Sequence, residues 1–491
     1  MRIRKLLRVR FVVDPFTEQE KIMAELTPMM QKYMETKEQY KDCILFYRLG
    51  DFYEMFFDDA LVASKELEIT LTGKSCGLEE RAPMCGIPYH AVEGYLSKLV
   101  SRGYKVAICE QVEDPKLAKG LVKREVIRVV TPGTNLNVQS LEAGKNNYLL
   151  SIAYTPDGIG ISAADVTTGD YYVTEVEDLK KLNDELMKYE PSEIICNEAF
   201  LVSGFDVNDL KSRLHISVNA LESHMFDDDG CRRILMKHFK VNTLIGLGVE
   251  EFPTGLLAAG ALLQYLYDTQ KTDLEHFTHI YPYLTSKYML LDSSTRRNLE
   301  LTETLREKQK RGSLLWVLDK TKTAMGARLL RNYIEQPLIE KDEMEKRLDA
   351  IQELNQDSIS RDEIREYLNP IYDLERLLSK VTYKTANPRD LIAFRNSLQM
   401  LPPIKTVLSA FEKEELTKIR EQIDGLEDIY QLIDEAIIDE PPLSIREGGM
   451  IKDQFDETID RLRSAKHDGK QWLAQLEEED RERTGIKNLK I

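Results

Sequence analysis

The periodicity of apolar residues changes once along this chain, near Ser293, and that change most constrains the fold. Before it, short runs of aromatic and branched residues alternate with helical patterns, which is typical of mixed α/β domains. After it, apolar residues recur almost only at helical spacing, as in the stripe of Phe455, Ile459 and Leu462. Because 491 residues are too many for one core, we expect about three or four domains. The predicted fold class is therefore multidomain, with α/β domains followed by an all-α region.

The first α/β region contains a strand-rich segment around a turn. CILFYRLGDFYEMFF, residues 43–57, is rich in aromatic and branched side chains, and Gly50-Asp51 is a turn signal. The next run, DDALVASKELEI, predicts a helix with Asp58 and Asp59 at its N-terminal end, where the helix dipole favours acidic residues. Further strands are predicted at two later runs, residues 104–112 and 125–134.

A polar stretch, residues 134–146, predicts a linker to a second α/β domain. There, YLLSIAYTPDGIGISAADVTTGDYYVTEV predicts three strands, and a helix and a further strand follow. Two later segments, LIAFRNSLQMLPPIKTVLSAFEKEEL and DQFDETIDRLRSAKHDGKQWLAQLEEEDRER, are long enough to predict lever-like helices; an ordinary helical bundle is the alternative. The run GIKNLKI, residues 485–491, predicts the start of a strand.

Charge, cysteine spacing and hydropathy argue against several classes of protein. The formal net charge of −17 argues against a histone-like polycation. The six cysteines lack metal-binding spacing, and they predict reduced, buried thiols and no metal site. No apolar run reaches the roughly 18 residues of a membrane-spanning helix. A basic run favours either a DNA contact or, more commonly, a solvated helix face; its members are Lys116, Lys119, Lys123, Arg124 and Arg128.

Two catalytic interpretations of the α/β regions are weak. Thr72-Gly73-Lys74-Ser75 matches the end of a phosphate-binding loop, but the glycine required five residues before Gly73 is Glu68. A carboxylate there would repel phosphates, and no such loop occurs elsewhere in the sequence, so we expect no ATP cofactor in this chain. Asp165 and Asp170 flank a turn and could hold metal ions in a nuclease. Acidic residues around a glycine are far more often turn formers.

Phe52 and Glu54 form the candidate recognition pair. In an extended segment, residues two apart face the same side, so both side chains project together. An aromatic ring can enter a base step and unstack it, which costs least where pairing is already broken. A neighbouring carboxylate can accept a hydrogen bond from a displaced base, and it disfavours intact duplex by repelling phosphates. The tripeptide alone has no weight, because Phe16-Thr17-Glu18 and Phe455-Asp456-Glu457 repeat the pattern.

Longer blocks supply the context that the tripeptide lacks. LFYRLGDFYEMFFDDALVAS, APMCGIPYHAVEGYLSKLVSRGYKVAICEQVEDP and REVIRVVTPGT resemble, in order, the mismatch-recognition domain of the MutS family of bacterial DNA mismatch-repair proteins. The resemblance continues through LDSSTRRNLELTETLREKQKRGSLLWVLDKTKTAMGARLLRNYIEQPL and covers residues 23–491. It implies that Phe52 stacks on the mispaired base from the minor groove and that Glu54 hydrogen-bonds that base. Lys74 lies near the position where family members often have a basic residue that contacts the DNA backbone, so the resemblance implies a candidate backbone contact for Lys74.

The resemblance also implies a division of the chain and a set of partners. The implied segments are 1–22, an extension or mis-assigned start; 23–133, a mixed α/β mismatch-recognition domain; 134–146, a linker; 147–285, a ribonuclease H-like connector domain without nuclease function; 286–445, a long-helix core and lever domain; and 446–491, a second lever helix and the start of a truncated clamp. The implied partner is double-stranded DNA with mismatches or small loops, in the bacterial cytoplasm near the nucleoid. Family members also form homodimers, recruit the MutL repair protein, and bind ATP and magnesium in a later C-terminal domain.

Two alternatives from other classes stay open beside a non-enzymatic DNA-recognition chain. One is a metal-dependent nuclease built on the second α/β domain around Asp165. The other is a non-catalytic helical scaffold that binds protein partners through residues 286–491.

Overall fold

The computed structural model describes residues 26–113, 120–137, 140–214, 216–442 and 445–486. Contacts between Cα atoms divide them into two compact units. Unit 1 comprises the described residues within Met1–Thr321, Met325–Glu340 and Leu378–Tyr383, and unit 2 comprises those within Lys322–Ala324, Lys341–Leu377 and Lys384–Ile491. The domain boundaries expected from the sequence stay predictions.

The first part of unit 1 is a mixed sheet with helices on both faces. Its elements are α1 (Pro28–Gln39), β1 (Cys43–Leu49), β2 (Phe52–Phe56), α2 (Phe57–Leu67), β3 (Thr72–Lys74), β4 (Ala82–Pro88), α3 (Val92–Val100), β5 (Lys105–Gln111) and β6 (Arg124–Val130). The strand order is β3-β4-β2-β1-β5-β6, with β1 and β5 parallel and the other neighbours antiparallel. The predicted strands and the predicted helix after residue 57 are confirmed.

The two faces of this sheet bury different side chains of β2. On one face, Tyr53 packs with α2 and α3, and on the other, Phe56 packs against Tyr33 of α1. The Tyr33 and Phe56 rings meet edge to face with centroids 4.9 Å apart, a contact that adds about 1 kcal/mol to the burial itself. Because alternate residues of a strand face opposite sides, Phe52 and Glu54 lie on the Phe56 face.

Asp59 has a larger role than the predicted interaction with the helix dipole. Its carboxylate accepts hydrogen bonds from the backbone N–H of Leu45 at 2.9 Å and from the Tyr33 hydroxyl at 3.2 Å, and it pairs with Lys37 at 2.9 Å. Burial raises the pKa of the Asp59 carboxyl, and the charge of Lys37 opposes that rise. Asp59 therefore ties α1 and β1 to the start of α2.

The second part of unit 1 is another six-stranded sheet. Its elements are β7 (Leu149–Thr155), β8 (Gly158–Asp165), β9 (Asp170–Val176), α4 (Leu179–Tyr189), β10 (Glu193–Asn197), α5 (Glu198–Leu201), α6 (Val207–Arg213), β11 (Ser217–Leu221), α7 (Asp228–Phe239), α8 (Pro253–Gln270) and β12 (Tyr281–Pro282). The order is β11-β10-β7-β8-β9-β12, and β7, β8 and β9 form an antiparallel meander. The three predicted strands and the helix and strand after them are confirmed; the ribonuclease H-like assignment stays a prediction.

Helix α8 packs unusually close to its neighbours. A Cβ atom on Gly160 of β8 would lie 1.9 Å from the carbonyl oxygen of Thr254, and one on Gly260 would lie 2.3 Å from Cβ of Cys231. Glycine at both positions lets the helix backbone lie directly against β8 and α7. The close fit explains why α8 is buried on most of its circumference.

The start of the predicted linker is fixed by hydrogen bonds to a buried carboxylate. Gly133, just before the linker, donates its backbone N–H to the Glu193 carboxylate at 3.1 Å, and the Tyr265 hydroxyl donates to the same carboxylate at 2.8 Å. Glu193 is fully buried, so these donors replace the water that its charge would otherwise require. The two sheets of unit 1 are thus joined by a packed connection rather than by a free tether.

From Ser293 onward the described chain is predominantly helical, as predicted. The helices are α9 (Ser293–Asn298), α10 (Leu314–Leu318), α11 (Ala324–Glu335), α12 (Lys341–Gln356), α13 (Ser358–Leu368), α14 (Leu374–Thr382), α15 (Pro388–Leu398), α16 (Leu401–Leu408), α17 (Glu414–Gln422), α18 (Glu427–Ala436) and α19 (Glu457–Thr484). None of the helices in the described part of the chain has the length and apolar character needed to span a bilayer.

The two helices predicted to be long differ in outcome. The prediction over residues 391–416 is wrong, because α15, α16 and the start of α17 share that segment. Pro402 and Pro403 lack a backbone N–H and suit the first turn of a new helix instead. The prediction for α19 is confirmed: 28 residues begin at a cap in which Asp456 accepts from the Ile459 backbone N–H, giving a rod of roughly 42 Å. The strand predicted over 485–491 lies largely outside the described residues.

Candidate nucleic-acid interface

Phe52 lies at the exposed end of a tight hairpin. Strands β1 and β2 pair with Leu49 opposite Phe52, so Gly50 and Asp51 form the connecting turn. Gly50 adopts φ +59°, a left-handed conformation that glycine adopts without steric cost. Phe52 is 47% exposed, which is high for a phenylalanine. The hairpin therefore presents an aromatic ring to solvent from the first residue of β2.

A group of side chains holds this turn in place. The Arg48 guanidinium donates to the Gly50 carbonyl at 2.5 Å and to the Glu110 carboxylate at 3.1 Å. The same guanidinium lies over the Tyr89 ring, with its carbon 3.7 Å from the ring centroid. The backbone N–H of Tyr89 donates to the Asp51 carbonyl at 3.0 Å. The turn is thus fixed from β1, β5 and the residue after β4, so the ring of Phe52 projects from a rigid support.

Glu54 lies two residues after Phe52 and on the same face, and it is paired with a lysine. The Lys74 ammonium lies 2.5 Å from the Glu54 carboxylate, and it lies 5.6 Å from the centroid of the Phe56 ring. The side chains of Glu54 and Lys74 are only 15% and 33% exposed. Exposure along this face decreases from Phe52 to Glu54 to Phe56, which is fully buried. The structure therefore brings together all three of the predicted site residues.

The described part of the predicted basic run is not the face of a helix, and the alternative of a DNA contact stays a prediction. Residues 124–128 belong to β6 and are not a helix face. Arg128 is largely buried, donates to the Thr134 carbonyl at 3.3 Å, and has a pKa lowered by that burial. Arg124 donates to the Arg48 carbonyl at 2.7 Å, and Lys123 pairs with Glu125. Arg124 and Arg128 thus donate to backbone carbonyls, Lys123 forms an exposed ion pair, and Lys116 and Lys119 lie outside the described residues.

Lys74 and Gly73 lie on an edge strand. Residues 72–74 form β3, which pairs with β4, so this segment does not form the loop before a helix that cradles phosphates. A Cβ atom on Gly73 would lie 3.1 Å from the Arg81 side chain. The geometry agrees with the rejection of a phosphate-binding loop at this position.

Asp165 and Asp170 face each other across the β8–β9 turn, but their oxygens are occupied. Asp165 accepts from the backbone N–H groups of Asn147 and Thr167 at 2.9 and 2.8 Å. The Asn146 side-chain amide donates to both carboxylates, at 3.0 Å to Asp165 and 2.8 Å to Asp170. Burial first, and the Asp165 charge second, raise the pKa of the Asp170 carboxyl. The described residues contain no group of three or more His, Cys, Asp or Glu side chains arranged to hold a metal ion.

The predicted burial of the six cysteines is confirmed, since every one is a buried free thiol. Burial raises the pKa of five of these thiols to about 12; the five are Cys43, Cys85, Cys109, Cys196 and Cys231. A thiol with so high a pKa is a poor nucleophile at neutral pH. We therefore assign these residues to packing.

Sequence reasoning did not identify three residues that shape the site. Arg48, Tyr89 and Glu110 lie in segments recognised as strands or family blocks, yet nothing in their local pattern indicated that they meet. Their contacts depend on the order of β4, β2, β1 and β5 in the sheet. Such an order is a property of the fold and leaves no signal at short sequence range.

Comparisons with known proteins give the family. Sequence profiles of MutS domain I, MutS domain II and MutS domain III match residues 27–139, 147–278 and 294–489, respectively. The DNA mismatch repair protein MutS of Lachnoclostridium phytofermentans is 66% identical over 469 residues, covering 96% of this chain and 50% of that protein. The corresponding protein of Ruminiclostridium cellulolyticum is 53% identical over 472 residues, covering 96% and 54%. The chain thus spans about half the length of the curated relatives it matches. With three MutS domains matched in order, this chain belongs to the MutS family.

Proposed function

We propose that this chain recognises mispaired or unpaired bases in double-stranded DNA, with Phe52 as an aromatic wedge. The observation that carries the proposal is the exposed ring of Phe52 on a turn held by Arg48 and Tyr89. A support that is rigid before binding loses little conformational entropy when the ring makes its contact. Rigidity therefore leaves more of the stacking energy available for binding.

The wedge discriminates because the energy of unstacking depends on the base pair. Inserting an apolar side chain into a base step costs a few kcal/mol for unstacking, and a mispaired or unpaired base has already lost part of that stability. A Phe52 ring approaching from the minor groove would stack on the base that yields most easily. Glu54, on the same face, is positioned to accept a hydrogen bond from a donor on that base.

The high sequence identity to DNA mismatch repair proteins supports a role in DNA mismatch repair. Those proteins are about twice as long as this chain. ATP hydrolysis, homodimer formation and recruitment of MutL, which the resemblance implies, are proposed for the longer family members. We assign none of these activities to residues of this chain.

A nuclease function is less well supported. Asp165 and Asp170 use their oxygens to accept hydrogen bonds from the chain itself. A magnesium ion would have to displace these donors before it could bind. Both residues serve the turn between β8 and β9.

Equilibrium binding of the full 491-residue chain to matched duplexes tests the proposal. The two oligonucleotides would differ only in one mispair or one unpaired base. We expect a preference for the mispaired duplex of about fivefold or more, since a single base-pair difference changes binding by about 1–3 kcal/mol. Affinity for both duplexes is expected to fall with salt as phosphate contacts are lost. Equal affinity for the two duplexes, or binding that does not respond to salt, would contradict the proposal.

A further inference from the structure

The pair of Lys74 and Glu54 connects two strands that are not neighbours. Glu54 lies on β2 and Lys74 on β3, with β4 between them in the sheet. Lys74 nevertheless reaches the Glu54 carboxylate at 2.5 Å. Its ammonium also lies 5.6 Å from the centroid of the buried Phe56 ring, a distance at which a cation is attracted to the ring face. Lys74 is therefore held from two sides at the base of the Phe52 turn.

The partial burial of both side chains makes this pair more than a surface ion pair. Exposed ion pairs contribute little to stability and are screened by salt. Here the carboxylate is 15% exposed and the lysine 33% exposed, so water screens the two charges less completely. Removing the lysine alone would leave a partly buried carboxylate without its counter-charge.

That carboxylate lies where DNA would approach. Each phosphate carries a negative charge, so an unpaired Glu54 would oppose the approach of any duplex, mispaired or not. We propose that Lys74 is a positioning residue for Glu54: it neutralises and orients the carboxylate, so that Phe52 can approach DNA without that repulsion. This inference rests on the proposed function and adds a role for Lys74 beyond a direct contact with the DNA backbone.

The two roles for Lys74 differ in how they depend on Glu54. If Lys74 contacts a phosphate directly, its loss weakens DNA binding equally whether residue 54 is charged or neutral. If Lys74 acts through Glu54, its loss matters only while residue 54 carries a charge. A double-mutant cycle on DNA affinity separates these cases, because it measures the coupling of two residues apart from their individual effects.

The cycle uses the full chain with Glu54→Gln, Lys74→Met and the double variant, on the same mispaired and paired duplexes. Methionine keeps a long apolar stem near Phe56. We expect Lys74→Met to weaken binding on the order of tenfold when Glu54 is present, as for an uncompensated charge at an interface. In the Glu54→Gln background the same change is expected to cost less than about threefold. Lys74→Arg, which keeps the charge, should restore most of the affinity.

Lys65→Met is the matched control, since Lys65 is an exposed lysine of α2 on the opposite face of the sheet. We expect it to leave affinity within about twofold of wild type. Equal losses for Lys74→Met in both backgrounds would overturn the inference, and so would no loss in either.

A different result is expected if the proposed function is wrong. The wild-type chain would then bind paired and mispaired DNA equally, but the coupling between Lys74 and Glu54 could still be measured on paired DNA. Coupling there would support the role of Lys74 even without mismatch preference. Absence of any DNA binding by the wild-type chain would contradict both.

Discussion

The guanidinium carbon of Arg48 lies 3.7 Å from the centroid of the Tyr89 ring, so a residue near the end of β1 is held against the residue that follows β4. We expect Arg48→Ala to release this turn, because it removes the stacked cation and the hydrogen bonds to Gly50 and Glu110. The loss corresponds to about 1–2 kcal/mol of local stability. Hydrogen–deuterium exchange over residues 48–56 would measure it as roughly tenfold faster exchange.

Arg102→Ala is the control for that experiment, since it removes a half-exposed arginine of the same sheet domain. Exchange over residues 48–56 should be unchanged in this variant. Wild-type exchange rates in Arg48→Ala would show that the turn is held by its backbone alone.

Replacement of Asp165 distinguishes a structural carboxylate from a metal ligand. In the wild-type chain, several N–H groups donate to the Asp165 carboxylate. In Asp165→Asn, an amide N–H₂ group, itself a donor, would face these donors. We expect a loss of about 1–3 kcal/mol in the free energy of unfolding of unit 1, as measured by urea denaturation. In parallel, wild type and variant should show the same absence of magnesium-dependent cleavage of DNA or RNA. Cleavage by wild type that Asp165→Asn abolishes would revive the nuclease alternative.

Glu335 predicts a pH dependence of stability. Burial raises the pKa of this carboxyl from 4.5 to about 7, while Arg331 opposes the rise, Glu190 adds to it, and Arg296 and Lys145 oppose it. The folded protein binds the proton of Glu335 more tightly than the unfolded chain does. The stabilisation that this proton gives is therefore fully present below the pKa of the carboxyl in the unfolded chain, and it is lost as pH rises through its pKa in the folded protein. Between pH 5 and 8 this carboxyl alone should lower the free energy of unfolding by roughly 2–3 kcal/mol.

Glu335→Gln tests that dependence by removing the titrating group and keeping its shape. The variant should match wild type near pH 5 and be the more stable protein at pH 8, as measured by urea denaturation at each pH. Glu340→Gln, at an exposed position, is the control and should follow wild type at both values. A parallel pH profile for Glu335→Gln and wild type would contradict the assignment.

Replacement by alanine is expected to have opposite effects on stability at two glycines. A Cβ atom on Gly160 would lie 1.9 Å from the Thr254 carbonyl oxygen, whereas one on Gly94 meets no atom within 4 Å. Gly160→Ala must displace α8 from its sheet, and we expect a loss of about 2–3 kcal/mol or more. Gly94→Ala, inside α3, should instead stabilise the protein by about 0.5–1 kcal/mol. Thermal unfolding of the two variants measures both signs, and a stabilised Gly160→Ala would refute the close packing of α8.

Local patterns were sufficient to predict most elements of unit 1. The aromatic and branched run around Gly50-Asp51 predicts the β1–β2 hairpin, since strand preference and turn chemistry act over neighbouring residues. The same holds for the meander of β7, β8 and β9, whose turns carry glycine. Helical periodicity alone failed over residues 391–416, where the apolar spacing continues although Pro402 lies in the first turn of a new helix.

Contacts between distant strands could not be predicted in this way. Lys74 and Glu54 are 20 residues apart in sequence, and they meet only because β3, β4 and β2 are adjacent in the sheet. The contact between Arg48 and Tyr89 likewise depends on the order of the strands in the sheet. Through the family resemblance, the sequence therefore indicated the residues that we propose recognise DNA, whereas the residues that hold them in place required the fold.

The most direct test of the account compares Phe52→Ala with Phe455→Ala. Among the residues that the structure describes, Phe455 begins the other Phe-x-Glu tripeptide. Phe455 is 41% exposed, so the two phenylalanines are matched in chemistry and exposure. The measurement is the ratio of dissociation constants for paired and mispaired duplexes. We predict that Phe52→Ala brings this ratio close to one, because the wedge is lost, while Phe455→Ala keeps the wild-type ratio. An unchanged ratio in Phe52→Ala would contradict the central claim that Phe52 reads the mispair.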